Sequence, residues 1–222
     1  SGNNLTLDTN NATGTFTFDP NTSFTYTGGG ALTISTGTFS GISGNISGTG
    51  NVTLIGKAGA QQLYLPGTVN AGGILNVAAH GDQGLRVRDD LSADLGILLD
   101  ADNAISVDPG AELTSLAGPI AITNDTGNIE IYTQGVINAG GGLYVMANDG
   151  LVQLGGTNSL IFSQTDKVDV RASSNIIAQG AISGATGIFL YSDGGIINVN
   201  DNLNSPTGDV TVSSNGALTV AL

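Results

Sequence analysis

The densest group of charged side chains in this chain lies between residues 80 and 94. Carboxylates beside Arg or His can divide acid and base roles in polysaccharide cleavage. A lyase that acts on acidic sugars needs more cations than the five Lys and Arg present, so we expect a surface ion-pair patch. A polysaccharide lyase or hydrolase is the alternative, and its candidate catalytic residues are His80, Arg86, Arg88, Asp89 and Asp90.

Acidic residues also recur in turns, where they could hold a metal. Five of them come five to seven residues after the apolar residue that begins a strand pattern: Asp82, Asp102, Asp125, Asp149 and Asp193. Asp suits turns because its side chain bonds the local backbone, and turn chemistry is the interpretation we prefer. Carboxylate oxygens also suit calcium, so a column of weak calcium sites is the alternative. We expect no other cofactor, since one histidine and no cysteine cannot complete a zinc site.

Six Asn-x-Ser/Thr sequons could accept N-linked sugars if the protein is exported. They are Asn4, Asn11, Asn21, Asn45, Asn51 and Asn124, and five of them fall in the first 53 residues. In a chain this rich in Asn and Thr many sequons arise by chance. Glycosylation of these positions is therefore a hypothesis that rests on export.

The elements that position these residues repeat along the chain. Apolar anchors begin a strand pattern every 20 to 27 residues: Leu5, Leu32, Val52, Leu75, Ile97, Ile120, Leu143, Val168, Ile188 and Val210. The clearest unit, from Ile120 to Gly142, holds three short apolar runs and closes on three glycines. Strands this short bury a face only by stacking on copies of themselves.

Each unit therefore contributes a strand to each of three sheets. We predict second strands from Ile105, Ile129, Leu151, Ile176, Ile196 and Leu218, and third strands from Leu91, Leu113, Val136, Leu160, Ile182 and Leu203. The fold class is all-β: a β-solenoid of three sheets and nine to ten coils of about 22 residues, about 45 Å long at ~4.8 Å per coil. We predict one domain over 1–222, with irregular coils over 1–50 and regular coils over 51–222.

The residue after each anchor should face outward from the first sheet. At four coils this position is apolar, and we predict an interaction surface formed by Leu98, Ala121, Tyr144 and Phe189. An apolar stripe on an outer face can mark a contact surface, although scattered exposed apolar residues are also normal.

Composition narrows the possible partners. The net charge is −13, which disfavours nucleic acid and anionic membranes because both require clustered cations. No apolar run approaches the ~18 residues of a membrane span. Only 10% of residues are charged, which is typical of secreted β-rods, and the chain starts at Ser1 within repeat-like sequence. We expect a mature segment of a longer exported protein, located outside the cell.

Two stretches, GNIEIYTQGVINAGGGLYVMANDG from Gly127 and VDVRASSNIIAQGAISGATGIFLYSDGGI from Val168, resemble the repeats of filamentous-haemagglutinin-like exoproteins. These are large bacterial adhesins of two-partner secretion systems, and autotransporter passengers share their fold. The resemblance covers roughly residues 70 to 222. It implies a single-stranded right-handed parallel β-helix outside the cell and carries over no catalytic residue.

Three functions remain open from the sequence. The first is a non-enzymatic extracellular β-helix rod of a bacterial adhesin or surface fibre, whose partners are cell-surface glycans or proteins. The second is a self-assembling filament, in which the strand from Leu5 to Leu7 of one copy extends an open sheet of the next copy. The third is the polysaccharide lyase or hydrolase described above.

Overall fold

The computed structural model of the protein describes residues 2–9, 22–37, 44–59, 62–65, 67–132, 134–156 and 158–220. All regular structure in these ranges is β-strand, and the strands pair in parallel in three sheets. The sheets stack as a β-solenoid of about nine coils of roughly 22 residues, so the predicted all-β fold class is confirmed. No helix in the described ranges is long and apolar enough to cross a membrane.

The first sheet takes one strand from every coil. With strands numbered along the chain, it contains β1 (Asn3–Asp8), β3 (Gly29–Thr36), β5 (Val52–Gly56), β8 (Ile74–Ala79), β11 (Gly96–Ala101), β14 (Ile120–Asn124), β17 (Leu143–Ala147), β20 (Val168–Ala172), β23 (Gly187–Ser192) and β26 (Asp209–Ser214). All ten predicted anchors are confirmed, because each lies opposite the next in the register, from Leu5 to Val210.

The other two sheets complete each coil. The second sheet holds β6 (Leu63–Leu65), β9 (Leu85–Val87), β12 (Ile105–Val107), β15 (Ile129–Ile131), β18 (Val152–Leu154), β21 (Ile176–Ala178), β24 (Ile197–Val199) and β27 (Leu218–Val220). The third sheet holds β2 (Ser23–Tyr26), β4 (Asn45–Gly48), β7 (Val69–Ala71), β10 (Leu91–Ala93), β13 (Leu113–Ser115), β16 (Val136–Ala139), β19 (Leu160–Ser163), β22 (Ala181–Gly184) and β25 (Leu203–Asn204).

The third-sheet strand predicted from Ile182 begins one residue earlier, at Ala181. Two predicted second-strand starts are also wrong by one residue. The strands begin at Val152 and Ile197 rather than at Leu151 and Ile196. In both cases two apolar residues are adjacent, so alternation alone allows either register. A hydrogen bond at the corner sets the register. Asn128 Oδ1 accepts the Leu151 N–H at 3.2 Å, and Asn175 Oδ1 accepts the Ile196 N–H at 2.9 Å.

A narrow apolar core runs through the centre of the stack. Alternation turns Ile, Leu and Val of all three sheets inward, where most have no exposed surface. Ile122 in β14 and Ile131 in β15 are both fully buried, as the repeat predicts. Each buried side chain of this size is stabilised by about 1.5–3 kcal/mol relative to exposure, and stacking supplies that burial in every coil.

The corners between strands need close backbone packing. Gly84 precedes β9 with φ of 71°, a left-handed conformation, and a Cβ there would lie 1.9 Å from the Ala104 carbonyl oxygen of the next coil. Glycine relieves both problems because it has no Cβ. Glycine at such corners lets the backbones of neighbouring coils pack closely and in register.

Candidate functional site

A groove on the outer face of the first sheet gathers charged and aromatic side chains of the later coils. Lys167 lies directly before β20, and Asp169 and Arg171 follow at every second residue. Successive side chains of a strand point to opposite faces, so these three share the outward face while Val168 and Val170 enter the core. We call this surface the Arg171 groove.

Asp169 lies at the centre of the Arg171 groove. Its side chain is 9% exposed and accepts at both oxygens: from Arg171 Nε at 2.9 Å and Nη2 at 3.0 Å, and from Lys167 Nζ at 2.9 Å. Burial opposes the charge, but the bonds from Arg171 and Lys167 outweigh it and hold the pKa of Asp169 below its ordinary value. Asp169 is therefore ionised at neutral pH and holds the two cations in place.

Aromatic rings flank this ion cluster in the neighbouring coils. Tyr144 of β17 and Phe189 of β23 lie directly opposite Asp169 in the register. Lys167 Nζ lies 5.7 Å from the ring centre of Tyr144 and 5.3 Å from that of Phe189. Both distances are within the range of a cation–π interaction. The lysine is thereby held by one carboxylate and two rings.

Two tyrosine hydroxyls are fixed by carboxylates at the edges of the groove. Tyr144 donates to Asp166 Oδ2 at 3.0 Å, and Tyr191 donates to Asp193 Oδ1 at 2.8 Å. The backbone N–H of Lys167 and the Tyr144 hydroxyl lower the pKa of Asp166. Burial and the bond to Asp166 raise the pKa of Tyr144, and the bond to Asp193 raises that of Tyr191. Both tyrosines are therefore neutral at neutral pH, and each hydroxyl is held by a carboxylate.

Three adjacent depressions meet at Arg171. The largest of the three, about 390 Å³, spans three coils, from Arg171 past Tyr191 to Ser213. Two smaller ones, of about 220 and 210 Å³, lie toward Met146 and Tyr144. The Arg171 side chain is 58% exposed at their junction. The arrangement is an open, elongated surface suited to holding an extended polar ligand.

The predicted interaction surface contributes two residues to this groove. Leu98, Ala121 and Tyr144 are consecutive in the register, and Phe189 follows two coils after Tyr144. Tyr144 and Phe189 line the Arg171 groove, and Leu98 is 38% exposed two coils away from Tyr144. The intervening outward position is the ionised Asp169, so the surface is mixed rather than continuously apolar.

The structure does not bring the five candidate catalytic residues together. His80 directly follows β8, and its Nδ1 lies 3.0 Å from Asp102 Oδ1, whereas Arg86 projects from β9 on another sheet and Arg88 directly follows β9. Arg86 binds both carboxylate oxygens of Asp108 and lies 5.9 Å from the Tyr64 ring centre, and Arg88 Nη1 donates to the Tyr64 hydroxyl at 3.0 Å.

The two remaining candidate catalytic residues, Asp89 and Asp90, accept hydrogen bonds from backbone N–H groups. Asp89 Oδ1 accepts the N–H of Asp90, and Asp90 Oδ1 accepts the N–H of Glu112 in the next coil, both at 2.9 Å. The five residues therefore make contacts at different places: His80 pairs with Asp102, Arg86 and Arg88 share Tyr64, and the two aspartates accept backbone N–H groups.

The predicted column of acidic turns is only partly a column. Asp102, Asp125 and Asp193 each follow a first-sheet strand directly, and their N–H groups bond the coil before at 3.0 Å. Asp149 and Asp82 come two and three residues after their strands, so the single column predicted for all five is wrong. The turns differ in length, and equal spacing from the anchor does not give equal register. In the described ranges no three His, Asp or Glu side chains group closely enough to hold a metal ion.

The sequons differ in access to their side chains. Asn4, Asn45 and Asn51 are exposed, whereas Asn11 and Asn21 lie outside the described residues. Asn124 is 1% exposed, and its Nδ2 donates to the carbonyls of Thr126 and Gly127. The candidate glycosylation site at Asn124 is therefore corrected, because the nitrogen that would carry the sugar is buried and bonded.

The central residues of the groove were not found from the sequence as a site. Lys167, Arg171 and Tyr191 belong to no predicted set, although the spacing Lys-x-Asp-x-Arg places three charges on one strand face. That alternation, beside outward aromatic residues one coil away on each side, was the signal available.

Comparison of the chain with protein-family models, with curated proteins and with solved structures found no match. The resemblance to filamentous-haemagglutinin-like exoproteins stays a prediction from the repeat sequence.

Proposed function

We propose that the protein is a non-enzymatic extracellular rod of a bacterial adhesin or surface fibre that presents a binding face at a fixed place. The observation that carries this proposal is the Arg171 groove itself. Its charged and aromatic side chains are held in place by one another on the outside of a sheet whose register is continuous through ten strands.

The stack supports a structural role. Each coil packs on the coils before and after it, so length is added without changing the cross-section. The outer surface is largely neutral and polar, since only 10% of the residues are charged. Such a rod can hold a recognition surface away from an attachment point.

The state of the charged groups supports a binding role without catalysis. Each of the five cations bonds a protein partner: Lys57 bonds Asp8, Arg86 bonds Asp108, Arg88 bonds Tyr64, and Lys167 and Arg171 bond Asp169. A general acid or base must reach substrate with a free, suitably tuned group. Asp169 has both oxygens occupied and a lowered pKa, which suits holding rather than proton transfer.

The test measures retention and cleavage in one experiment. The protein is incubated with immobilised acidic and neutral polysaccharides, and bound protein, new reducing ends and unsaturated products are measured together. We expect retention on at least one polysaccharide without products. Product formation that disappears in a His80→Ala or Arg88→Gln variant would overturn the proposal in favour of the lyase or hydrolase. The head-to-tail filament also stays an alternative proposal.

A further inference from the structure

We propose that the Arg171 groove binds a glycan that carries carboxylates, such as a chain of uronic-acid sugars, with the free edge of the Arg171 guanidinium holding a sugar carboxylate. This inference rests on the proposed non-enzymatic function, because it names the ligand class of the same face. Four features of the groove lead to it.

The first feature is the unused part of the guanidinium. Arg171 spends its Nε and Nη2 on Asp169, which leaves the Nη1 side without a protein partner in the described part of the chain. Arg171 is also the one side chain that lines all three depressions. A guanidinium presents paired N–H donors whose geometry matches the two oxygens of a carboxylate. The free edge is thus preorganised by Asp169 to receive a second carboxylate.

The second feature is local charge. Two cations share the single carboxylate of Asp169, so these three side chains taken together carry one positive charge in excess. Asp166 and Asp193 each add a negative charge at the edges, where they accept hydrogen bonds from tyrosine hydroxyls, and Asp193 also lines one of the smaller depressions. The chain as a whole is acidic, but charges farther than about 8 Å are largely screened at physiological salt. Attraction for an anion is therefore confined to the neighbourhood of Arg171.

The third feature is the shape and lining of the surface. The three depressions lie side by side, which suits a chain of several sugars better than one small molecule. Tyr191 supplies an aromatic wall that is 41% exposed, and Thr211 and Ser213 supply hydroxyls opposite it. Sugar rings combine apolar C–H faces, which pack on aromatic rings, with hydroxyls that need hydrogen-bond partners.

The fourth feature distinguishes a glycan from an acidic peptide. A peptide bound to a sheet commonly adds a strand at a free edge and bonds the backbone. Here β20 and β23 are paired on both sides, so their backbone groups are already used. A peptide would lose that source of affinity, whereas a sugar needs only side chains.

The test uses isothermal titration with a galacturonic acid tetrasaccharide. The fully methyl-esterified tetrasaccharide is the matched ligand without charge, and pentaglutamate represents an acidic peptide. We expect the ester and pentaglutamate to bind at least about tenfold more weakly than the acid, a difference of about 1.4 kcal/mol. Added salt should weaken binding of the acid and leave binding of the ester unchanged.

Three variants locate the site. Arg171→Lys keeps a cation beside Asp169 but lacks the paired donors, and Asp169→Asn with Arg171→Gln removes the ion pair as a unit. Both should lower the affinity for the acid at least about tenfold while thermal melting confirms that they fold. Arg86→Gln is the control, since Arg86 lies on another sheet.

Each outcome decides between the readings. Equal binding of acid and ester, equal binding of pentaglutamate, or full affinity in both Arg171 variants would overturn this inference. Absence of binding would also overturn it and leave the structural rod in place. Conversion of the tetrasaccharide to shorter products would instead contradict the proposed non-enzymatic function, so the two failures are distinguishable.

Discussion

Replacing Ile131 by Asp should remove most of the stability of the coil stack. Ile131 is fully buried in β15, between Val107 of the coil before and Leu154 of the coil after. The substitution loses the burial of an apolar side chain, about 1.5–3 kcal/mol. It also places a carboxylate without a partner in the core, which costs several kcal/mol more. The sum is on the order of 5 kcal/mol, comparable to the whole stability of many domains.

Two control variants separate the causes. Ile131→Val keeps the apolar character and should cost about 0.5–1.5 kcal/mol. Glu130→Gln changes the adjacent side chain, which faces outward in the same strand, and should stay within about 0.5 kcal/mol of wild type. The contrast between positions 130 and 131 therefore tests the register of β15 directly.

The assay is urea unfolding followed by far-ultraviolet circular dichroism, with hydrogen exchange to detect loss of individual coils. Coil-by-coil unfolding is expected in a stacked repeat, so midpoints are compared rather than one extrapolated free energy. If Ile131→Asp unfolds at the midpoint of Ile131→Val, or if Glu130→Gln is the more destabilised of the pair, the assigned register is wrong.

Three further predictions concern the charged groups and the sequons. Asp169→Asn should lower the melting temperature at pH 7, because Lys167 and Arg171 lose their charged partner. The difference in melting temperature from wild type should shrink as pH falls below 3.8 through the lowered folded-state pKa of Asp169, since the wild-type carboxylate is then protonated too. A difference that does not change with pH would contradict the role of the charge. In a host that glycosylates sequons, mass spectrometry of peptides should find sugar on Asn45 or Asn51 but never on the buried Asn124, and sugar on Asn124 in folded protein would refute its placement. Chelation should leave the melting temperature unchanged if the turn carboxylates only order the backbone, whereas a rise of several degrees with millimolar calcium would show bound ions.

The repeat could be predicted from the sequence because the alternation of inward and outward side chains involves residues that are adjacent in the chain. An anchor such as Leu32 alternates with the polar Thr33 before Ile34, and alternation fixes which face enters the core. At Leu151 and Ile196 alternation does not predict where the strand begins, since two apolar residues are adjacent and a corner asparagine one coil earlier sets the register. That partner is more than 20 residues away in the chain, so neighbouring sequence does not reveal it.

The site was harder to predict, because many of its contacts join residues that are far apart in the chain. Charged residues are densest along the chain at residues 80–94, but in that region the cations pair with residues of neighbouring coils. Arg86 finds its partner at Asp108, 22 residues later. The outward position after each anchor did identify Tyr144 and Phe189, because it repeats with the coil. The Lys-x-Asp-x-Arg spacing places the three charges around Asp169 on one strand face, but the contacts of Lys167 with Tyr144 and Phe189 join three coils, and the spacing within one strand does not reveal them.

The most direct test of the proposed binding role is an NMR titration of the isotopically labelled protein with the galacturonic acid tetrasaccharide. The account predicts backbone shifts confined to residues around Arg171 and Tyr191, no change near His80 or Arg88, and an unaltered sugar spectrum throughout. Shifts centred on residues 80–94 together with the appearance of shorter sugars would contradict it, and would place both binding and catalysis on a different side of the solenoid.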